Sequence, residues 1–179
     1  MAHLNNPGRQ AGGLLPCTCA LLLAAMAPSV ALAQAALVPT HNLSPEIALE
    51  IAQTSLAACR AEGFQVSVAV VDRMGVPQVM LRDRLAGPHT PDTAQRKAWT
   101  AVSFRSDTLA LAANTRVNSD QSGARMITNA LMLGGGVPLQ AAGATVAGVG
   151  ISGAPTAEAD DRCARAGIEA VRARLEMGG

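Results

Sequence analysis

A glycine pattern near the C-terminus is the clearest candidate for a ligand-binding motif. Gly148 to Gly153 reads G-x-G-x-x-G, the spacing of turns that bind dinucleotide phosphates. It follows a predicted strand and precedes a predicted helix, as such a turn does. The dinucleotide fold also needs a further strand after that helix, and no strand is predicted before Gly179. We therefore predict that these glycines serve tight turns and close backbone packing.

Two histidines, His41 and His89, are the only imidazoles after residue 33. They have no nearby Cys or Asp at zinc-ligand spacing, and no G-x-S-x-G nucleophile turn is present. His89 lies in a Gly-Pro loop before a predicted helix. It is either an ordinary loop residue or, as a neutral imidazole, a ligand for iron. No catalytic set is identified, which favours a binding protein over an enzyme.

Charged residues cluster at the predicted helices. Asp160 and Asp161 lie at the start of the last helix, where the helix dipole favours acids without any catalytic role, and Asp92 lies similarly in an earlier helix. Asp92 is also a candidate metal ligand beside His89. Arg96 and Lys97 form either a solvated helix face or a cationic site for a carboxylate or cofactor.

The elements that would position these residues alternate between helices and hairpins. Ser44 and Pro45 begin a helix that Gly63 ends. Val66, Val68 and Val70 form one face of the first strand of a hairpin. The remaining predicted elements are strand 76–82, helices from Thr90 and over 109–113, a polar stretch over 114–129, strands 137–142 and 144–151, and a helix from Pro155. Hairpins between helices predict an α+β fold.

The N-terminal 33 residues have the pattern of a signal peptide. Arg9 precedes an apolar stretch, and Ala31-Leu32-Ala33 matches a cleavage site. An uncleaved membrane anchor is the alternative. We predict residues 1–33 as signal peptide, 34–43 as a mobile tail and 44–177 as one domain, located in the periplasm or secreted.

Composition limits the partners of the exported chain. Of 14 lysines and arginines only Arg9 precedes residue 34, so 13 remain against 13 acids. This balance argues against nucleic acid or, after signal cleavage, a membrane as partner. Aromatic residues are 2% of the chain, so small aliphatic side chains must form the core and oligomerisation would supplement it. Cys59 and Cys163 remain either free or paired.

Several blocks of sequence together carry a family resemblance. They are residues 68–75 (VAVVDRMG), 94–101 (AQRKAWTA), 134–139 (GGGVPL), and 150–153 (GISG) leading into 160–167 (DDRCARAG). In this order they resemble the GlcG/HbpS-like haem-binding (haem-degrading domain) family, from about Leu43 to about Leu175.

The resemblance implies a profilin/PAS-like antiparallel sheet of about four to five strands flanked by helices. It also implies homo-oligomers, from dimers to octamers. Exported members of the family bind haem, and some are linked to haem breakdown, iron binding and redox sensing. We therefore expect an exported haem-binding protein that scavenges, stores or senses haem. Other members accompany glycolate or diol metabolism, so the alternative is an accessory protein or enzyme acting on small oxidised metabolites such as 2-hydroxy acids.

Site residues carry over from the family only in part. An E-x-x-E pair linked to iron corresponds here to Asp92-Thr93-Ala94-Gln95, in which an amide replaces one acid. A haem-ligating threonine that precedes the triple glycine corresponds to Thr128 or falls at Ala130. The cofactor-binding candidates are His89, Thr128, Arg96 and Lys97, and the metal-ligand candidates are His89 and Asp92.

Overall fold

Four helices and four strands follow one another in the predicted order. The structure, a computed structural model, describes residues 36–177, so the predicted signal peptide lies outside it. The elements are α1 (Pro45–Ala61), β1 (Ser67–Asp72), β2 (Pro77–Arg82), α2 (Thr90–Phe104), α3 (Thr108–Asn114), a 3-10 helix (Ser122–Met126), β3 (Gly136–Ala141), β4 (Ala144–Ser152) and α4 (Ala157–Met177). No helix within residues 36–177 combines the length and the apolar character needed to span a membrane.

The four strands form one antiparallel sheet in the order β2-β1-β4-β3. The two hairpins, β1–β2 and β3–β4, join through the central pair, in which Ser67 lies opposite Ser152 and Asp72 opposite Ala147. The α+β prediction is confirmed, and the sheet has the lower of the two predicted strand numbers. The two ends of the sheet differ. The starts of α2 and α4 lie at the end that contains Ser152, and the turns of both hairpins lie at the opposite end.

Helices cover both faces of this sheet. On one face, Val66, Val68 and Val70 pack in the main core with residues of α1 and α4, as their alternation predicts. On the other face, Ala69 and Val71 pack against a stripe of α2 made by Ala94, Ala98 and Val102. Because both faces are buried, β1 is buried at consecutive residues instead of at every second one.

Glycines of the G-x-G-x-x-G pattern allow α2 to contact β4 through the backbone. A Cβ atom at Gly150 would lie 2.0 Å from the carbonyl oxygen of Ala94. Gly153 has a φ of +132°, which L side chains rarely adopt, and turns the chain away from the sheet. The interpretation of this pattern as turns and close packing agrees with the structure. In the dinucleotide fold a further strand follows the helix after the glycine turn. No strand follows α4 within the described residues.

A disulfide joins the two helices on the main-core face. Cys59 of α1 and Cys163 of α4 are bonded, with their Cα atoms 5.5 Å apart and a sequence separation of 104. Both side chains are buried in the main core. The bond answers the question that the sequence left open. It links the first helix to the last, which limits the freedom of the unfolded chain.

The start of the folded part differs slightly from the sequence-based boundary. Leu43, the last residue of the predicted tail, is buried in the main core, and its carbonyl accepts a hydrogen bond from Gln78. Ser44 caps α1 as predicted, with its hydroxyl accepting from the amide of Ile47. The folded contacts therefore begin one residue before the helix cap.

We expect Gly150→Ala to lower the free energy of unfolding by about 3 kcal/mol, because the added methyl group meets backbone that cannot move aside. Gly123→Ala is the matched control, since nothing lies within 4 Å of its Cβ position. It should change stability by less than about 0.5 kcal/mol. Urea denaturation of the disulfide-bonded proteins measures both. Equal stability of the two variants would contradict the close α2–β4 contact.

Candidate functional site

One line of residues along α2 faces a cavity at the start of the helix. His89, Thr93 and Lys97 are spaced by four residues, so they lie above one another on one side of α2. The opposite wall comes from the end of β4 and the start of α4, including Ser152, Pro155 and other residues of the segment between them. We call this space the N-terminal cavity, because it lies at the N-terminal ends of both helices. Its volume is about 410 Å³.

Lys97 is buried at the base of this cavity. Its side chain is only 2% exposed, and its Nζ atom donates to the carboxylate of Asp160 at 2.8 Å and to the carbonyl of Ile151 at 2.9 Å. The interpretation of Lys97 as part of a solvated helix face is therefore wrong. Helical periodicity shows which side of α2 carries Lys97. Whether that side is buried depends on Asp160, which lies 63 residues away in the sequence.

Asp160 also has more than a helix-dipole role. Its second oxygen accepts the amide of Ala154 at 3.0 Å, which fixes the loop that precedes α4. Burial raises the pKa of the Asp160 carboxyl, while the charge and hydrogen bond of Lys97 and the Ala154 amide oppose that rise. The ionised form therefore depends on Lys97.

The triple glycine packs directly on this ion pair. A Cβ atom at Gly135 would lie 2.6 Å from the Cβ of Asp160 and 3.1 Å from the Nζ of Lys97. The Gly135 carbonyl in turn accepts the amide of Ile151 at 2.9 Å. Lys97, Gly135, Ile151 and Asp160 come from four separate sequence blocks, and the structure brings them to one point.

His89 stands at the mouth of the N-terminal cavity. It is the residue before the first turn of α2, and its ring packs over Gly87, where a Cβ atom would lie 2.8 Å from the ring. The imidazole is exposed, and no acid forms an ion pair with it among the described residues. It is therefore available to a ligand that enters the cavity.

Arg96, Asp92 and Thr128 lie beside the cavity instead of lining it. Arg96 donates to the carbonyls of Asn129 and Ala130, at 3.5 and 3.1 Å, and lies 4.0 Å from the exposed carboxylate of Asp92. Its guanidinium thus holds the loop that carries Thr128, which is exposed. The structure brings Arg96 close to Asp92 and to this loop.

The predicted acids and imidazoles do not form a metal-binding cluster within residues 36–177. Residues 36–177 contain no group of three or more His, Cys, Asp or Glu side chains positioned to hold a metal ion. His41 is exposed before α1 and does not line the N-terminal cavity. An iron bound here would therefore rely on His89 with ligands that the cofactor itself supplies.

Sequence reasoning missed the pairing of Lys97 with Asp160 and the place of Ser152. The acidic start of α4 had a sufficient explanation in the helix dipole, so nothing required a distant partner. A usable signal was present in the triple glycine, since three small residues before a strand indicate that something bulky lies against them. Ser152 is buried at the end of β4 and lines the N-terminal cavity.

We expect Lys97→Met or Asp160→Asn alone to lower the free energy of unfolding by about 3–5 kcal/mol, because each leaves a buried group without its partner. The double variant should lose less than the sum of the two. Lys97→Met also leaves Asp160 with a further raised pKa, so its loss should grow as pH rises above about 4, the pKa of an unfolded aspartate. Urea denaturation at several pH values measures this, and additive single effects would contradict the pair.

Comparison with known proteins identifies the family. The model of the HbpS-like family, described as haem degrading protein HbpS-like, matches residues 43–169. A crystal structure of an HbpS double mutant from Streptomyces reticuli is 40% identical, with a TM-score of 0.73, over 81% of this chain and 97% of that chain. No curated protein matches the chain significantly.

Two further solved structures share the fold. A complex of PduOC with haem is 26% identical, with a TM-score of 0.68, over 73% of this chain and 95% of that chain. The protein ORFY from Klebsiella pneumoniae is 21% identical, with a TM-score of 0.75, over 78% of this chain and 97% of that chain, and shows the fold alone. Because the family model covers most of the sequence and HbpS is 40% identical over most of its length, this chain belongs to the HbpS-like family of haem degrading proteins.

Proposed function

We propose that this protein is an exported, oligomeric haem-binding protein, and that His89 ligates the haem iron at the N-terminal cavity. The observation that carries the proposal is an unpaired imidazole at the mouth of a cavity in a chain of the HbpS-like family. A relative with the same fold, PduOC, forms a complex with haem. The protein then acts by holding haem, as a scavenger, store or sensor.

The residues present fit haem in their chemistry. A neutral imidazole is a common axial ligand of haem iron. Leu133, Pro155 and Ala157 supply apolar surface beside it for a flat macrocycle. Thr156 and Ser152 supply hydroxyl donors for carboxylates. A cavity of about 410 Å³ also lies within the range of about 300–1,000 Å³ that is usual for small-molecule sites.

Bound haem would supply the iron chemistry, and the chain's own residues hold and orient it. Lys97 uses two of its three ammonium protons in hydrogen bonds to Asp160 and the Ile151 carbonyl. The ion pair therefore fixes the cavity floor.

Export is supported by the disulfide. Pairs of cysteines persist as disulfides in oxidising compartments and are rare in the cytosol. The bond between Cys59 and Cys163 therefore agrees with the signal-peptide pattern of residues 1–33.

Two features support oligomers. The charge balance gives little repulsion between copies, and the edge strands β2 and β3 leave backbone groups unpaired within the chain.

Hemin titration tests the haem proposal. The purified protein should give a saturable shift of the Soret band with a fixed stoichiometry. His89→Ala should weaken binding about tenfold or more, or change the band position, because the iron loses its axial ligand. His41→Ala is the matched control and should bind like the wild type.

The possible outcomes test haem binding and the assignment of His89 as iron ligand separately. If the wild type gives no Soret shift, haem binding is wrong. If His89→Ala binds and absorbs like the wild type, the ligand assignment is wrong. Thr128→Val is the comparison variant in that case, since Thr128 is the residue that the family resemblance indicates.

Export and assembly are tested on one preparation. The full chain expressed in a bacterium with a periplasm should appear in the periplasmic fraction with Gln34 as its first residue, because cleavage follows Ala33. Intact mass, before and after reduction, reports the start and the disulfide. Light scattering of the same sample should give an oligomer. A cytoplasmic, uncleaved protein contradicts export, and a monomer contradicts assembly.

A further inference from the structure

A second cavity lies at the opposite end of α2 from His89. We call it the C-terminal cavity, because it forms around the last turn of α2, and its volume is about 590 Å³. The β1–β2 turn contributes Arg73 and Met74, the end of α2 contributes Trp99 and Arg105, and the β3–β4 hairpin contributes Gln140 and Thr145. We propose that this cavity binds a small dicarboxylate, with Arg73 and Arg105 each holding one carboxylate against Trp99.

The charge of the C-terminal cavity is one-sided. Arg73 and Arg105 are exposed, and neither forms an ion pair with a described residue. None of the Asp and Glu residues within 36–177 lines the cavity. The adjacent acid, Asp72, uses its side chain within the turn, where it accepts the amides of Met74 and Val76 at 2.8 and 2.9 Å. Two cations around one cavity repel each other, and an anion between them removes that cost.

Six of the described arginines have an acidic partner: Arg60, Arg96, Arg162, Arg165, Arg172 and Arg174. Three of these, on α4, border another groove. The described arginines without an acidic partner are Arg73, Arg82, Arg84, Arg105, Arg116 and Arg125. Among these, Arg73 and Arg105 line the same cavity, so the C-terminal cavity combines two guanidinium groups that no acid neutralises.

The backbone of Arg105 gives an independent reason to assign its side chain a role. Arg105 ends α2 with a φ of 51°, in the left-handed region that favours glycine at this position. A non-glycine residue is strained there, and such strain concentrates at functional sites. Glycine would end the helix at lower cost. Compared with glycine, an arginine at this position adds a guanidinium group.

Trp99 supplies a rigid wall and a reporter. It is half-buried and packs edge-on against Gly75, where a Cβ atom would lie 2.5 Å from the indole Cδ1. The same turn that seats the indole also carries Arg73, so the position of the guanidinium is tied to the wall. Trp99 is the only tryptophan in the chain, and there is no tyrosine. Its fluorescence therefore comes from a residue that lines this cavity and also packs on the cluster of Leu111, Ala130 and Met132.

The lining favours a compact polar anion. Ser103, Gln140 and Thr145 add hydrogen-bonding groups around the two arginines. A guanidinium group binds a carboxylate through two parallel hydrogen bonds, so two of them from separate elements select a ligand with two acidic groups. Phosphate also binds guanidinium groups, so it is the comparison ligand that separates a dicarboxylate site from a general anion site. Along α2, Trp99 and Arg105 lie about 15 and 24 Å from His89, so the site is separate from the proposed haem site.

Fluorescence titration with succinate tests the proposal. The wild type should give a saturable change in Trp99 emission, which Arg73→Gln and Arg105→Gln each weaken about tenfold or more. Succinamate, which lacks one charge, should bind about tenfold more weakly than succinate. Arg105→Gly should raise the melting temperature and also weaken binding, because it relieves the backbone strain and removes the guanidinium. A merely structural arginine would not produce that combination.

Controls separate a site from general charge effects. Arg84→Gln removes an exposed arginine that does not line the cavity, and it should bind like the wild type. His89→Ala should also bind succinate normally, so a failure of haem binding leaves this result intact. The proposal is overturned if emission does not saturate by about 10 mM succinate. It is also overturned if inorganic phosphate acts equally well, or if Arg84→Gln weakens binding as much as Arg73→Gln.

Discussion

The buried ion pair of Lys97 and Asp160 is the constraint on which the arrangement of this domain depends. Burial of two charges costs several kcal/mol for each ion and is tolerated only when their hydrogen bonds are satisfied. Satisfying them requires α2, the end of β4 and the start of α4 to meet within hydrogen-bond distance, and the triple glycine packs against the pair where a Cβ atom would not fit. A shift of α2, of the end of β4 or of the start of α4 breaks one of these hydrogen bonds, so the pair specifies their mutual positions.

The sequence predicted what depends on neighbours in the chain. Alternation identified Val66, Val68 and Val70 as one face of β1, and the Ser-Pro start identified the cap of α1. It did not predict the burial of Lys97, because an arginine-lysine pair on a helix has the same pattern whether or not a distant acid covers it. The same limit applies to Arg105, whose left-handed backbone becomes visible only in three dimensions.

Helix α2 gives the domain two ends with different electrostatics. Its N-terminal end carries the positive pole of the helix dipole, and the exposed imidazole of His89 lies there. Its C-terminal end carries the negative pole, which favours the cations Arg73 and Arg105 beside it and by itself repels an anion. An anion can bind at that end only because two guanidinium groups outweigh the pole. The two cavities therefore suit different chemistries for one physical reason.

The core is built from small side chains, so the packing of the domain depends on a few close contacts. Alanine, valine and glycine bury little area each, so packing against α2 relies on backbone approach at Gly150 and not on large side chains. The disulfide adds stability that does not depend on side-chain size, since it closes a loop of about 100 residues in the unfolded state, worth about 5 kcal/mol in the chain-entropy model. That contribution exists only where thiols oxidise. The bond between Cys59 and Cys163 therefore adds stability in an oxidising compartment and is lost in a reducing one.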